Sequence, residues 1–149
     1  MEDNAFTGAY SYNLDEKGRL MLPARLRVAL SDTRLVLTCA IESCLWVFPR
    51  AQWDRFSSQI SARASLFHAP SRAVLRRLIA PAQEVELDRA WRLFIPPSLR
   101  EYAALEKDCL ILGLSHCLEI WDRARYRAYL AESEADFRAG TETLQDLCL

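Results

Sequence analysis

Laid on itself at an offset of 73 residues, without a gap, the chain repeats Leu14 at Leu87, Asp15 at Asp88, Arg19 at Arg92, Leu20 at Leu93 and Pro23 at Pro96. Leu26 falls on Leu99, Arg27 on Arg100, Leu37 on Leu110, Cys44 on Cys117, Leu45 on Leu118, Arg50 on Arg123 and Ala51 on Ala124. Similar residues also align, such as Leu22 with Ile95, Phe48 with Trp121 and Trp53 with Tyr126. Twelve identities in one register, where chance supplies about two or three, mean that one structural unit was duplicated. Two copies are too few for a solenoid. The repeat therefore predicts two pseudo-equivalent halves, 8–54 and 82–127, joined by a helical linker, 55–81, and followed by a helical tail, 128–149. A half of about 45 residues is marginal alone and leaves strand edges unpaired. Interleaving the strands of the two halves would remove both problems.

Each half reads as strand, turn, strand, helix, strand, strand. In the first, Ala9–Leu14 alternates aromatics, Asp15–Gly18 is a turn in which Gly18 is free to take positive φ, and Arg19–Leu22 is a short strand. Pro23 opens a helix over Ala24–Leu30, and Leu35–Ala40 with Cys44–Phe48 make a hairpin. The second half gives Glu84–Leu87, Arg92–Ile95, a helix over Pro97–Leu105, and Cys109–Gly113 with Cys117–Trp121. In the linker, Pro70 divides the helices Gln52–His68 and Ser71–Ile79. The tail from Arg123 reads as one more helix, ended by Gly140.

The pattern Leu14-Asp15-Glu16-Lys17-Gly18-Arg19-Leu20-Met21-Leu22-Pro23, its second copy from Leu87 to Ala103, and the stretches Cys44–Trp53 and Glu119–Trp121 resemble the MraZ family of bacterial transcription regulators. The resemblance covers nearly the whole chain. It implies an α+β fold with a mainly β core, built from two pseudo-symmetric AbrB-like swapped-hairpin halves in a double-psi-barrel-like arrangement with flanking helices. It also implies subunits assembled into a homo-oligomeric ring larger than a dimer. In such a ring the basic residues of the Asp-x-x-x-Arg loops contact repeated boxes in double-stranded promoter DNA, upstream of the regulator's own cell-division and cell-wall operon. Repression is the usual outcome. One position departs from the family pattern: Trp91 stands where the second copy normally keeps glycine. Because tryptophan resists positive φ, the second turn is expected to differ in shape from the first.

The residues themselves offer Lys17, Arg19, Arg25 and Arg27 as DNA contacts, with Arg34 also basic in the first copy. Lys17 sits on a turn tip within reach of phosphates, and an arginine fork can take guanine O6 and N7 together or clamp a phosphate. Asp15 and Gly18 orient or shape the first loop, and Asp88 and Arg92 hold the second. The plainer reading is that both Asp–Arg pairs are salt bridges within their turns. The expectation is that Arg19 carries specific binding and that Arg92 chiefly partners Asp88. Arg72, Arg76 and Arg77 read as a solvated face or as subunit salt bridges rather than DNA contacts.

The net charge of −1 argues against DNA unless basic residues are gathered locally, and it leaves an oligomeric protein-binding module as the rival reading. The five cysteines include no Cys-x-x-Cys pair and read as buried thiols; a Cys44–His116 catalytic pair is the minor alternative. Trp46, Trp53 and Trp121 read as packing residues rather than base-stacking platforms. No glycine-rich phosphate loop, Ser-centred elbow or metal spacing occurs, so neither an enzyme nor a cofactor is expected. No apolar run approaches the roughly 20 residues that span a bilayer, and the acidic start Met1-Glu2-Asp3-Asn4 lacks the features of a signal peptide, so a cytoplasmic, nucleoid-associated protein is expected.

Overall fold

The computed structural model describes residues 6–145. The first half forms β1 (Ala9–Asn13), β2 (Arg19–Met21), α1 (Ala24–Arg27), β3 (Arg34–Cys39) and β4 (Leu45–Pro49). Helix α2 (Arg50–Arg63) and α3 (Ala69–Val74), which runs into a π-helical turn over Leu75–Ile79, link it to the second half. There β5 (Gln83–Glu86), β6 (Arg92–Phe94), α4 (Pro97–Tyr102), β7 (Asp108–Gly113) and β8 (Leu118–Asp122) repeat the order, and α5 (Arg123–Glu132) and α6 (Glu134–Thr143) follow. The fold is α+β with a mainly antiparallel core, as the sequence led us to expect. Among the described residues, no helix is long and apolar enough to cross a membrane.

The halves exchange strands. A six-stranded antiparallel sheet runs β1-β7-β8-β4-β3-β5, so each half's first strand lies on the other half's third. β2 and β6, the second strands, pair only with each other. Every short strand thus finds a partner that its own half does not supply, which answers the edge problem of a 45-residue unit. The pseudo-two-fold axis passes through the one cross-strand pair that the repeat maps onto itself, Trp46 opposite Glu119. There the buried Glu119 accepts the indole N–H of Trp46 at 2.9 Å on Oε2 and that of Trp121 at 2.8 Å on Oε1. A carboxylate taken out of water needs such donors on both oxygens.

The structure corrects the ungapped repeat at one place. β3 and β7 correspond at 74 residues, not 73: Arg34 matches Asp108, and the partners across each hairpin shift accordingly. The stretch from the start of the helix to the third strand is one residue longer in the second half, where Ala104, just beyond α4, takes φ +50°, and the following hairpin loop is one residue shorter. Leu37 is therefore the counterpart of Ile111, both fully buried in the main core, while Leu110 lies half-buried against the second cluster around Trp121. The Leu37/Leu110 identity is a coincidence of sequence.

Two helix expectations also change. The linker helix begins at Arg50 and stops at Arg63, and Pro70 lies in the first turn of α3, where its missing N–H costs nothing. The tail is two helices broken at Ser133, and Gly140 lies inside α6 rather than ending it. Glu134 and Asp136 sit in the first turn of α6, where carboxylates favour a helix start.

The shifted register predicts a stability pattern. Leu37→Ala and Ile111→Ala each lower unfolding free energy by about 2–5 kcal/mol, and Leu110→Ala lowers it by clearly less. Urea denaturation of the three variants checks this; a loss at Leu110 equal to that at Leu37 would restore the ungapped register.

Candidate nucleic-acid interface

The two Asp-x-x-x-Arg loops lead directly into the β2–β6 ribbon. In the first, Asp15 Oδ1 accepts the backbone N–H of Lys17 at 2.9 Å and of Arg19 at 2.8 Å, while Oδ2 accepts Arg19 Nε–H at 2.9 Å. The turn closes with Gly18 N–H on the Asp15 carbonyl at 3.0 Å, and Gly18 takes φ +81°. The second loop is built alike. Asp88 Oδ1 accepts the N–H groups of Ala90 at 2.8 Å and Arg92 at 2.9 Å, and Oδ2 accepts Arg92 Nε–H at 2.8 Å. Trp91 N–H closes that turn on the Asp88 carbonyl at 2.9 Å, with Trp91 at φ +60°. The expectation that Trp91 reshapes the second turn is not met.

The tryptophan is held in the left-handed region by the other half. Its carbonyl accepts Leu22 N–H at 2.8 Å, and the Arg27 guanidinium lies over its ring, 5.4 Å from the centroid, while Arg27 Nε donates to the Leu22 carbonyl at 2.9 Å. A non-glycine residue in this region costs about 1–2 kcal/mol. One hydrogen bond at about 1 kcal/mol and a cation–π contact at about 0.5–1 kcal/mol offset it. The first loop carries the mirror arrangement: the Gly18 carbonyl accepts Ile95 N–H at 2.8 Å and Arg100 Nε donates to the Ile95 carbonyl at 2.9 Å. A Cβ on Gly18 would lie 2.7 Å from Arg100 Cζ, so the guanidinium occupies the place that the side chain of Trp91 takes in the other loop. Arg27 and Arg100 are thus braces, each clamping the loop of the opposite half. Sequence reading placed Arg27 among the DNA contacts and left Arg100 out, although the repeat aligns the two.

On the ribbon, Leu20 and Leu93 face the core, so Arg19, Met21, Arg92 and Phe94 face out. Arg19 stands opposite Phe94, and Met21 opposite Arg92. Each aspartate takes Nε–H, which holds the arginine stem and leaves the terminal nitrogens to another partner. Lys17 is exposed in the first loop and Arg25 on α1; Arg89, which sequence reading did not single out, is exposed at the tip of the second loop. Segments 15–27 and 88–100 together hold seven Lys and Arg against three Asp and Glu, a net +4 on a chain whose total is −1. The local basic patch that the sequence required is present at the ribbon. Arg34 is instead paired with Asp32 at 2.9 Å, and Arg77 donates to the Tyr102 hydroxyl at 2.9 Å.

The cysteines and tryptophans that sequence reading set aside lie in packed surroundings. Burial pushes the Cys44 thiol far up, with the Glu119 carboxylate adding to the effect, and pushes Cys109 and Cys117 up to about 12. His116 is exposed. Trp46 packs edge-on against Phe48 and Phe56, and Trp121 against Tyr126 and Tyr129. Cys148 lies outside the described residues.

Both halves match one family model, described as "MraZ protein, putative antitoxin-like", over residues 5–77 and 78–148. The chain is 52% identical over 141 residues to a protein of Treponema denticola named transcriptional regulator MraZ, covering 95% of this chain and 98% of that one. Proteins of the same name from Salinispora arenicola and Desulforamulus reducens are 42% and 36% identical, covering 89% and 95% of this chain and 92% and 99% of theirs. These matches are to regulators rather than to enzymes.

The loop carboxylates predict a pH response. Hydrogen bonds from the Arg19 backbone N–H to Asp15, and from that of Arg92 to Asp88, are the leading cause that holds both carboxyls below the usual value of 3.8. A carboxyl depressed in the folded state contributes stability above its unfolded pKa, and that stability is lost as pH falls through the folded value. Melting temperatures taken from about pH 6 to about pH 3 should fall further for the wild type than for Asp15→Asn/Asp88→Asn. Parallel curves would show that these carboxylates do not support the loops.

Proposed function

Because this chain belongs to the MraZ family, we propose that it is a sequence-specific, DNA-binding transcription regulator that acts in the cytoplasm on the nucleoid. Its target is a set of repeated boxes upstream of its own cell-division and cell-wall operon, and its action there is repression. The observation that carries this reading is the β2–β6 ribbon, with two Asp-held arginines on its outer face inside a net +4 patch. A two-stranded ribbon fits the major groove, and a fixed arginine fork matches guanine O6 and N7. Arg19 and Arg92 read bases; Lys17, Arg25 and Arg89 take phosphates and set the register. Arg27 and Arg100 act through the loops they brace. The acidic balance that favoured a protein-binding module loses its force, because the charge deficit lies away from the ribbon.

One ribbon spans only three residue pairs, so several subunits must engage together. Exposed apolar side chains on the turn between α2 and α3 and on α6 support a homo-oligomer larger than a dimer: Phe67 is 99% exposed, with Leu66 and Phe137 also largely exposed. Linked sites then multiply affinity without new contacts.

Since the two loops share one geometry, Arg19→Ala and Arg92→Ala are expected to weaken binding to the protein's own upstream promoter alike, each by about 1–3 kcal/mol per engaged loop. Lys17→Ala should cost less and lower the salt slope by about one. Electrophoretic shift titrations at several salt concentrations measure all three; a loss confined to Arg19→Ala would make the first loop the sole reader. Light scattering at micromolar concentration should give a mass above that of a dimer, and Phe67→Asp should reduce it. A duplex with several boxes should bind more tightly than one with a single box. A monomer, or equal affinity for both duplexes, would remove the multivalent mechanism.

A further inference from the structure

We propose that Met21 and Phe94 are specificity-determining residues that read thymine C5-methyl groups beside the bases contacted by Arg92 and Arg19. This rests on the DNA-binding reading above and adds the base class that the ribbon selects. The two residues occupy the same repeat position, 73 apart, on the outer face of the ribbon, and are 38% and 42% exposed. Neither belongs to the buried core, which Leu20 and Leu93 enter from the opposite face. Both stand in the middle of the basic patch, where a phosphate contact would call for a polar or charged side chain. Each is directly cross-strand from an Asp-held arginine, Phe94 from Arg19 and Met21 from Arg92. Cross-strand neighbours stand about 4.5–5.5 Å apart, between one and two steps of the roughly 3.4 Å base spacing, so the two tips fall on neighbouring base pairs.

The pair therefore presents, twice over, a donor fork beside an apolar tip. In the major groove the thymine methyl is the apolar feature of the base edges, and apolar side chains contact it. Net positive charge on the ribbon draws in the phosphates on either side, and a donor fork beside an apolar tip matches the base edges that a duplex presents in its major groove. Phe94 is also held from behind: the Arg100 guanidinium lies 5.9 Å from its ring centroid. Insertion between base pairs from the minor groove, the other use of exposed apolar side chains, needs a wedge that enters the stack. A ribbon seated by its arginines in the major groove does not deliver one.

The test begins with a duplex selected by the full-length protein from a randomised pool. The same duplex is then made with deoxyuridine replacing thymine, one position at a time, so that only a methyl group is removed. The wild type should lose about fourfold in affinity for each contacted methyl, the effect expected for one buried carbon. Met21→Ser should abolish that discrimination at one set of positions and Phe94→Ser at a second, with guanine preference retained and melting temperature little changed in both. Equal wild-type affinity for thymine and deoxyuridine duplexes would overturn the inference while leaving sequence-specific binding intact. Discrimination retained in both variants would also overturn it. Failure to select any duplex would instead overturn the DNA-binding reading itself.

Discussion

Two hydrogen bonds between the halves, Ile95 N–H to the Gly18 carbonyl and Leu22 N–H to the Trp91 carbonyl, tie the loops to the body of the protein. Each joins the turn of one half to the strand end of the other, and each is backed by an arginine from the opposite half. Each loop closes on its own aspartate, and the partner half then braces it. The strand exchange, the ribbon and the shape of the arginine-bearing face all follow from this dependence. The tryptophan at positive φ is braced by contacts from the opposite half.

The duplicated halves keep one geometry while their side chains diverge. Gly18 and Trp91 differ as much as two residues can, yet both turns close through the same bonds. The divergence is absorbed by the braces: Arg100 fills the space above the glycine, and Arg27 lies across the indole. The conserved quantity is the position of the Asp-held arginine, which two different packing solutions deliver. Charge is distributed on the same principle, with a positive ribbon on a chain of slightly negative total.

The repeat, the order of elements, the two Asp-x-x-x-Arg loops and the buried cysteines were legible in the chain, because each depends on local pattern or on identity between copies. The 74-residue correspondence of β3 and β7 was not, because the one extra residue between the start of α4 and β7 is compensated in the next hairpin and leaves the alignment on either side intact. The break at Ser133 was missed because apolar spacing continues across it.

Sequence by itself determined that there are two copies of one unit, where each turns, and which aspartate and arginine face each other across the turn, since a five-residue loop closes locally. Tertiary structure decided that the strands are exchanged, that Trp91 adopts the glycine conformation, that Arg27 and Arg100 brace while Arg19 and Arg92 face out, and that Met21 and Phe94 share that outer face. These depend on contacts between residues about 70 apart, and the physical reason is that strand pairing and cross-half hydrogen bonds act on whatever the fold brings near, not on what the chain places nearby.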